Sequence, residues 1–166
     1  NVAFVRTNGT TLPFPDHSLD VVLARYADYT PAEVVRVLRS GGMLVFLGDF
    51  TGHGLPAAIG AMPVSEIFYG MAQKGFSMQD ILREINKKLK RILPVGVFCC
   101  ACMYDLSFRK RSAEVWVGGL PDVLVYRRAT REIENLRSKH LPLGVVDNDR
   151  FKTETSVIPL ELGDKI

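Results

Sequence analysis

One stretch, Gly48-Asp49-Phe50-Thr51-Gly52-His53-Gly54, constrains this chain more than any other. The apolar run Met43-Leu44-Val45-Phe46-Leu47 precedes it and reads as a strand. Leu55-Pro56-Ala57-Ala58-Ile59 follows it and reads as the start of a helix, with a proline in the first turn. A carboxylate at the mouth of a strand, then glycines that let a backbone approach a ligand, then a helix N-terminus, is a way to present a metal-bound phosphate site. A strand, turn and helix joined for packing alone fits the same residues. The rest of the chain has to decide between the two.

Composition narrows the class. With 166 residues, 47% hydrophobic and 23% charged, the chain can bury one core without staples. Its 21 Lys and Arg against 18 Asp and Glu leave a net charge of +3, which argues against nucleic acid as a partner. No apolar stretch is long enough to span a bilayer, and the first residues carry no secretory pattern, so no membrane association and a cytoplasmic location are expected. Cys99, Cys100 and Cys102 lie in one apolar run with no second cluster to pair with. Strand alternation points Cys100 and Cys102 one way and Cys99 the other, and reduced core thiols are expected. The ends, Asn1 and Asp164-Lys165-Ile166, read as those of a fragment.

Residues 1–46 read as strand, turn, strand, helix, strand. Thr30 suits an N-cap, with Pro31 at the first helical position and Glu33 at the third. Val34, Val35, Val37 and Leu38 supply the packing face, and Gly41-Gly42 ends the helix. A right-handed parallel β-α-β unit is the simplest topology. Residues 54–75 read as a mostly apolar helix whose Ile59, Met62, Ile67, Phe68 and Met71 are spread widely enough to predict burial against a sheet, with a kink at Pro63. A second helix is expected over 77–93. Ser77 and Asp80 form a capping box, and Met78, Ile81, Leu82, Ile85, Leu89 and Ile92 follow helical spacing. Its basic run, Lys87, Lys88, Lys90 and Arg91, reads as a solvated face near the negative end of the helix dipole, and Pro94 stops the helix.

From residue 95 the pattern changes to strands at short intervals, over 97–108, 112–117, 123–128, 131–136 and 151–158. Glu114 and Trp116 should share a face. Short connections imply an antiparallel meander. The expected class is α+β: an antiparallel sheet or sandwich flanked by two helices, with an N-terminal β-α-β segment.

Two families are resembled. Leu12-Pro13-Phe14-Pro15-Asp16-His17-Ser18-Leu19-Asp20-Val21-Val22 and Glu33-Val34-Val35-Arg36-Val37-Leu38-Arg39-Ser40-Gly41-Gly42-Met43-Leu44-Val45 resemble the C-terminal half of a class I S-adenosylmethionine methyltransferase. The glycine-rich loop that grips the cofactor in that family is missing, so methyl transfer is not expected. The second resemblance rests on motifs in order: the Asp-x-x-Gly-His-Gly stretch at Asp49, Trp116-Val117-Gly118-Gly119-Leu120-Pro121-Asp122, Leu141-Pro142-Leu143-Gly144-Val145, and Leu160-Glu161-Leu162-Gly163-Asp164. Together they resemble the metal-dependent protein phosphatase (PPM) superfamily in its bacterial SpoIIE-like branch, over about residues 43–166. The two patterns overlap near residues 40–48, which fits a splice of a 1–46 methyltransferase-like segment onto a 43–166 phosphatase-type domain.

The phosphatase resemblance implies an α/β/β/α sandwich holding two Mn²⁺ or Mg²⁺ ions, whose bound water attacks phosphorus on a phosphorylated signalling protein. It implies Asp49 as the bridging, catalytic carboxylate and the Phe50 carbonyl as a further metal ligand. Gly52, His53, Gly54, Gly118 and Gly119 are the candidates for phosphate or loop contacts, and for His53 bracing of the turn is the preferred role. Other expected ligands are absent from the pattern. The family supplies a further metal-binding Asp from an upstream Gly-Gly-Asp, whereas Gly41-Gly42-Met43 here stands in an unrelated context, and no Thr-Asp-Gly follows Asp164 before Ile166. Weak metal affinity and impaired hydrolysis are therefore expected. The alternatives are a catalytically silent interaction or scaffold domain and a methyltransferase remnant. Missing strands would leave a sheet edge open to self-association.

Overall fold

In the computed structural model of the chain, the described residues are 11–16, 18, 33, 36, 42–52 and 55–166. Most of the N-terminal β-α-β reading, including Thr30, Pro31 and Gly41, lies outside them. Two compact units divide the chain, Asn1–Met43 with Ser107–Lys110, and Leu44–Leu106 with Arg111–Ile166.

In the first unit Glu33 and Arg36 are helical. The Arg36 guanidinium donates to the Glu33 carboxylate at 2.8 Å, to Asp16 at 2.6 Å and to the carbonyls of Leu12 and Phe14 at 2.9 Å. The Glu33 carboxylate also accepts from the Leu12 N–H at 2.9 Å. Arg36, and next that N–H, hold the Glu33 carboxyl well below its usual range, at about 2.

The elements of the described residues lie almost wholly in the second unit. They are strand β1 (Met43–Phe50), helix α1 (Leu55–Ala72), helix α2 (Met78–Ile92), then β2 (Cys99–Ser107), β3 (Ser112–Gly118), β4 (Val123–Tyr126), β5 (Ile133–Leu136) and β6 (Ser156–Pro159). Ser77 caps α2: its hydroxyl accepts from the Asp80 N–H at 3.2 Å and donates to the Asp80 carboxylate at 2.6 Å. At the other end Leu93 leaves helical geometry just before Pro94, which has no N–H to continue the ladder. The inward face of α2 is the one its spacing predicts, Met78, Ile81, Leu82, Ile85 and Leu89, with the addition of Asn86. Each buried aliphatic side chain there contributes about 1.5–3 kcal/mol. Ile92, at the last turn, is partly exposed.

Strands β1, β2, β3 and β6 form one sheet in that order, and β4 pairs with β5 in a second. On one face of the larger sheet, Cys99, Ala101, Met103 and Trp116 pack with the buried residues of α2 and with Val64, Ile67, Phe68 and Met71 of α1. On the other face, Cys102, Ala113, Val115, Val117 and Ile158 pack with Val125, Val123 and Leu136 of the two-stranded ribbon. Helices, a sheet and a second sheet therefore make successive layers, an α+β class. The alternation read for the cysteines holds: Cys99 belongs to the helix side, Cys102 to the ribbon side, and all three thiols are free. Glu114 shares the helix side with Trp116 and accepts from the Gln79 amide of α2 at 2.7 Å.

Two expectations need correction. The strands do not form a simple meander, because β3 takes β6 rather than β4 as its second neighbour, antiparallel from Ser112↔Pro159 to Val115↔Ser156. The end of β3 is occupied by a bridge from Gly118 to His140, and Gly119, at φ 75°, turns the chain toward the other layer. The helix over 55–72 is also less enclosed than its composition predicts. It runs through Pro63 with Ile67, Phe68 and Met71 packed on the core, while Ile59 and Met62 are exposed. No helix among the described residues is long and apolar enough to cross a membrane.

Candidate functional site

Asp49 lies one residue before the end of β1, and its side chain is exposed. The next residues fix the chain as it leaves the strand. Phe50 turns inward against α1, where a Cβ at Gly60 would lie 2.8 Å from the ring's Cζ. The Thr51 N–H donates to the Phe98 carbonyl at 3.0 Å, and the Thr51 hydroxyl accepts from the Phe98 N–H at 3.0 Å. That double clamp ties the turn to the segment entering β2. Gly52, at φ 85°, supplies the left-handed step the turn requires. His53 and Gly54 lie outside the described residues.

Gly118 and Gly119 belong to the same end of the sheet. Cys100 Sγ lies 3.0 Å from where a Gly119 Cβ would stand, and burial, then the nearby Asp49 charge, raise the Cys100 thiol pKa. Cys99 is pushed up to about 12, chiefly by burial, so its thiol is protonated and inert at neutral pH. The loop over 141–144 closes this end: Leu143 exchanges two backbone hydrogen bonds with Cys99, at 3.0 and 2.8 Å, and Pro142 packs against Gly119.

The described residues do not fit a two-ion centre. Among the described residues no group of three or more His, Cys, Asp or Glu comes together in a way that could hold a metal ion. Asp49 and one carbonyl are too few oxygens for a hard divalent ion, which takes six or so. Asp164 is otherwise engaged. Its carboxylate accepts from the Glu161 N–H at 3.1 Å, the Arg128 N–H at 3.0 Å and the Arg127 guanidinium at 2.9 Å. It staples residues 161–164 to Arg127 and Arg128, just past β4, a role its place in the Gly163-Asp164 pair did not announce.

Those donors, the Glu161 and Arg128 amides ahead of Arg127, lower the Asp164 pKa from the ordinary value of 3.8. A depressed carboxylate stabilises the fold above its unfolded pKa, and the contribution is lost as pH falls through the folded value. Thermal melts taken downward from about pH 5 should therefore show a shallower acid decline in Asp164→Asn than in the wild-type chain. Parallel declines would refute the staple.

Sequence reasoning missed Asn86. It is fully buried, with its amide donating to the Val146 carbonyl at 3.0 Å and to Asn148 Oδ1 at 2.7 Å, and its carbonyl accepting from the Gly144 N–H at 2.8 Å. The available signal was a polar residue at an inward position of α2, four after Leu82 and three before Leu89.

The family model for Stage II sporulation protein E matches residues 39–166. Among solved structures, the RsbU and RsbW domains of a Mycobacterium tuberculosis protein superpose with a TM-score of 0.64 at 17% identity, over 75% of this chain and 34% of that one. The PP2C phosphatase domain of the cell fate determinant SpoIIE from Bacillus subtilis, solved with a fragment of its regulatory domain, gives 0.60 at 16%, over 76% and 35%. RsbX in complex with magnesium gives 0.60 at 15%, over 75% and 57%. At these identities the likeness shows the fold alone.

Two curated matches point elsewhere. Triosephosphate isomerase of Lactococcus lactis subsp. lactis is 24% identical over 160 residues, 91% of this chain, which thus spans 63% of that relative's length. Its name belongs to a parallel barrel, whereas β3 with β6 and β4 with β5 pair antiparallel here. An uncharacterized methyltransferase of Mycobacterium sp. (strain JLS) is 44% identical over 62 residues, covering 30% of this chain and 25% of that one, a partial match.

Proposed function

The chain belongs to the Stage II sporulation protein E family through residues 39–166, and from that premise we propose that it is a serine/threonine protein phosphatase domain of bacterial signalling type, acting on a phosphorylated signalling protein, with hydrolysis impaired by missing metal ligands. The observation that carries this reading is Asp49, an exposed carboxylate at the end of β1. It is followed by a turn that Thr51 clamps to Phe98. Asp49 presents oxygens to solvent, and the Phe50 carbonyl is the next acceptor along the chain. The resident ions of the class, Mn²⁺ or Mg²⁺, would polarise the phosphoryl group and activate water, but the described residues do not complete their site.

A second reading is favoured by that incomplete donor set: a silent interaction domain that keeps the fold. Mn²⁺ titration decides between them. On the phosphatase reading, millimolar Mn²⁺ selectively broadens the amide signals of Asp49 and Thr51, broadening disappears in Asp49→Asn, and turnover of an aryl phosphate stays at the limit of detection. Absence of any Mn²⁺ effect on those signals, together with an unchanged melting temperature, would overturn it, because an ion bound only to the native state must raise stability.

A further inference from the structure

Asn86 is the buried polar side chain of α2, and every one of its hydrogen bonds leaves the helix for the segment that follows Leu143. Buried amides with all their partners in place hold a unique arrangement, because any other arrangement leaves polar atoms dry and unpaired. The surroundings reinforce the link. Asn148 Nδ2 returns a hydrogen bond to the Arg83 carbonyl at 3.0 Å, and Lys90 Nζ donates to the Val145 carbonyl at 3.0 Å. Gly144 sits at φ 85° against α2, where an added Cβ would lie 3.1 Å from Leu89 Cβ. Its neighbour Leu143 is paired by both backbone hydrogen bonds with Cys99. Phe98, the residue before Cys99, holds Thr51 by backbone and hydroxyl. Thr51 is two residues from Asp49.

From this chain of direct bonds we propose that Asn86 is a positioning residue for the Asp49 turn: it fixes the 143–148 loop on α2, and the loop, through Leu143, Cys99 and Phe98, fixes the place of the carboxylate. The proposal rests on the reading of Asp49 as the carboxylate of the site. Its consequence is that a change at α2 alters the site without touching it.

Amide spectra and hydrogen exchange of the full chain test it. Asn86→Ala should shift the amide signals of Gly144, Leu143, Cys99, Thr51 and Asp49. Exchange at Leu143 and Thr51 should speed up by about tenfold, the factor that a local loss of about 1.4 kcal/mol produces. Leu82→Ala, one turn earlier on the same buried face, removes packing without a hydrogen bond to the loop and should leave Thr51 and Asp49 in place. If Asn86→Ala fails to fold, Asn148→Ala removes one partner of the amide at a half-buried position and should move the same signals in the same direction by less. Unmoved Thr51 and Asp49 signals in the folded variant, or equal movement in Leu82→Ala, would overturn the proposal. A wild-type chain whose Asp49 ignores Mn²⁺ sinks the metal reading instead, so the two failures are distinct.

Discussion

Trp116→Ala is expected to cost about 3–5 kcal/mol of stability and to lower the melting temperature by on the order of 10 °C. Trp116 is the chain's one tryptophan and is almost completely buried on the helix side of β3. Its ring stacks on His140, with centroids 5.4 Å apart and planes 7° from parallel, and meets Phe151 at 5.7 Å. Its indole N–H donates to the Lys152 carbonyl at 3.1 Å. Two segments remote in sequence, 140 and 151–152, are thus held by one side chain. Truncation leaves a cavity among residues of both helices and the sheet, which relax only in part. Trp116→Phe should cost less, about 1–2 kcal/mol, since much of the ring remains and one hydrogen bond is lost. Urea unfolding followed by far-UV circular dichroism measures both. A Trp116→Ala chain within about 1 kcal/mol of wild type would show that His140 and Phe151 close the space themselves.

Helix α2 was legible because its signals are local. The Ser77 cap, the apolar spacing and Pro94 each act within a turn of the residue that carries them. Sheet order was not legible, because an alternating strand looks the same in either layer. That order lies in contacts between residues far apart in sequence, the ladder from Ser112 and Pro159 to Val115 and Ser156 and the bridge of Gly118 with His140. Residues 151–158 show the same limit. Phe151 and Thr153 are buried with strand-like alternation, yet the ladder begins only at Ser156. Periodicity reports which side chains face inward, not whether the backbone has a partner.

The site follows the same division. Asp49 and its turn were proposed from contiguous residues, and Gly118 and Gly119 from a glycine pair at a strand end. Asn86 and the Asp164 staple were not found, since each takes its meaning from partners elsewhere in the chain. The shortage of metal ligands was read from the motifs themselves, and among the described residues no group of three or more His, Cys, Asp or Glu comes together to hold an ion.

Gly118→Ala is the second large effect, about 3 kcal/mol, at the upper end of the usual cost of overpacking. A Cβ at Gly118 would collide with Cη2 of Trp116 and lie 2.7 Å from the Leu141 carbonyl oxygen. The neighbours decide the magnitude. A flexible side chain could swing aside, but Trp116 is locked between His140 and Phe151, and the Leu141 carbonyl is backbone beside the Leu143 pairing with Cys99. The insertion therefore has to push the loop or the strand, and either movement reaches the Asp49 end of β1 through Cys99 and Phe98. Gly70→Ala, on α1, is the control. No neighbour lies within 4 Å of a Cβ there, so replacing a helical glycine should stabilise by about 0.5–1 kcal/mol. The two substitutions add the same methyl group and should move the urea midpoint in opposite directions. Equal midpoints would mean that the Gly118 end of β3 yields to the added methyl group.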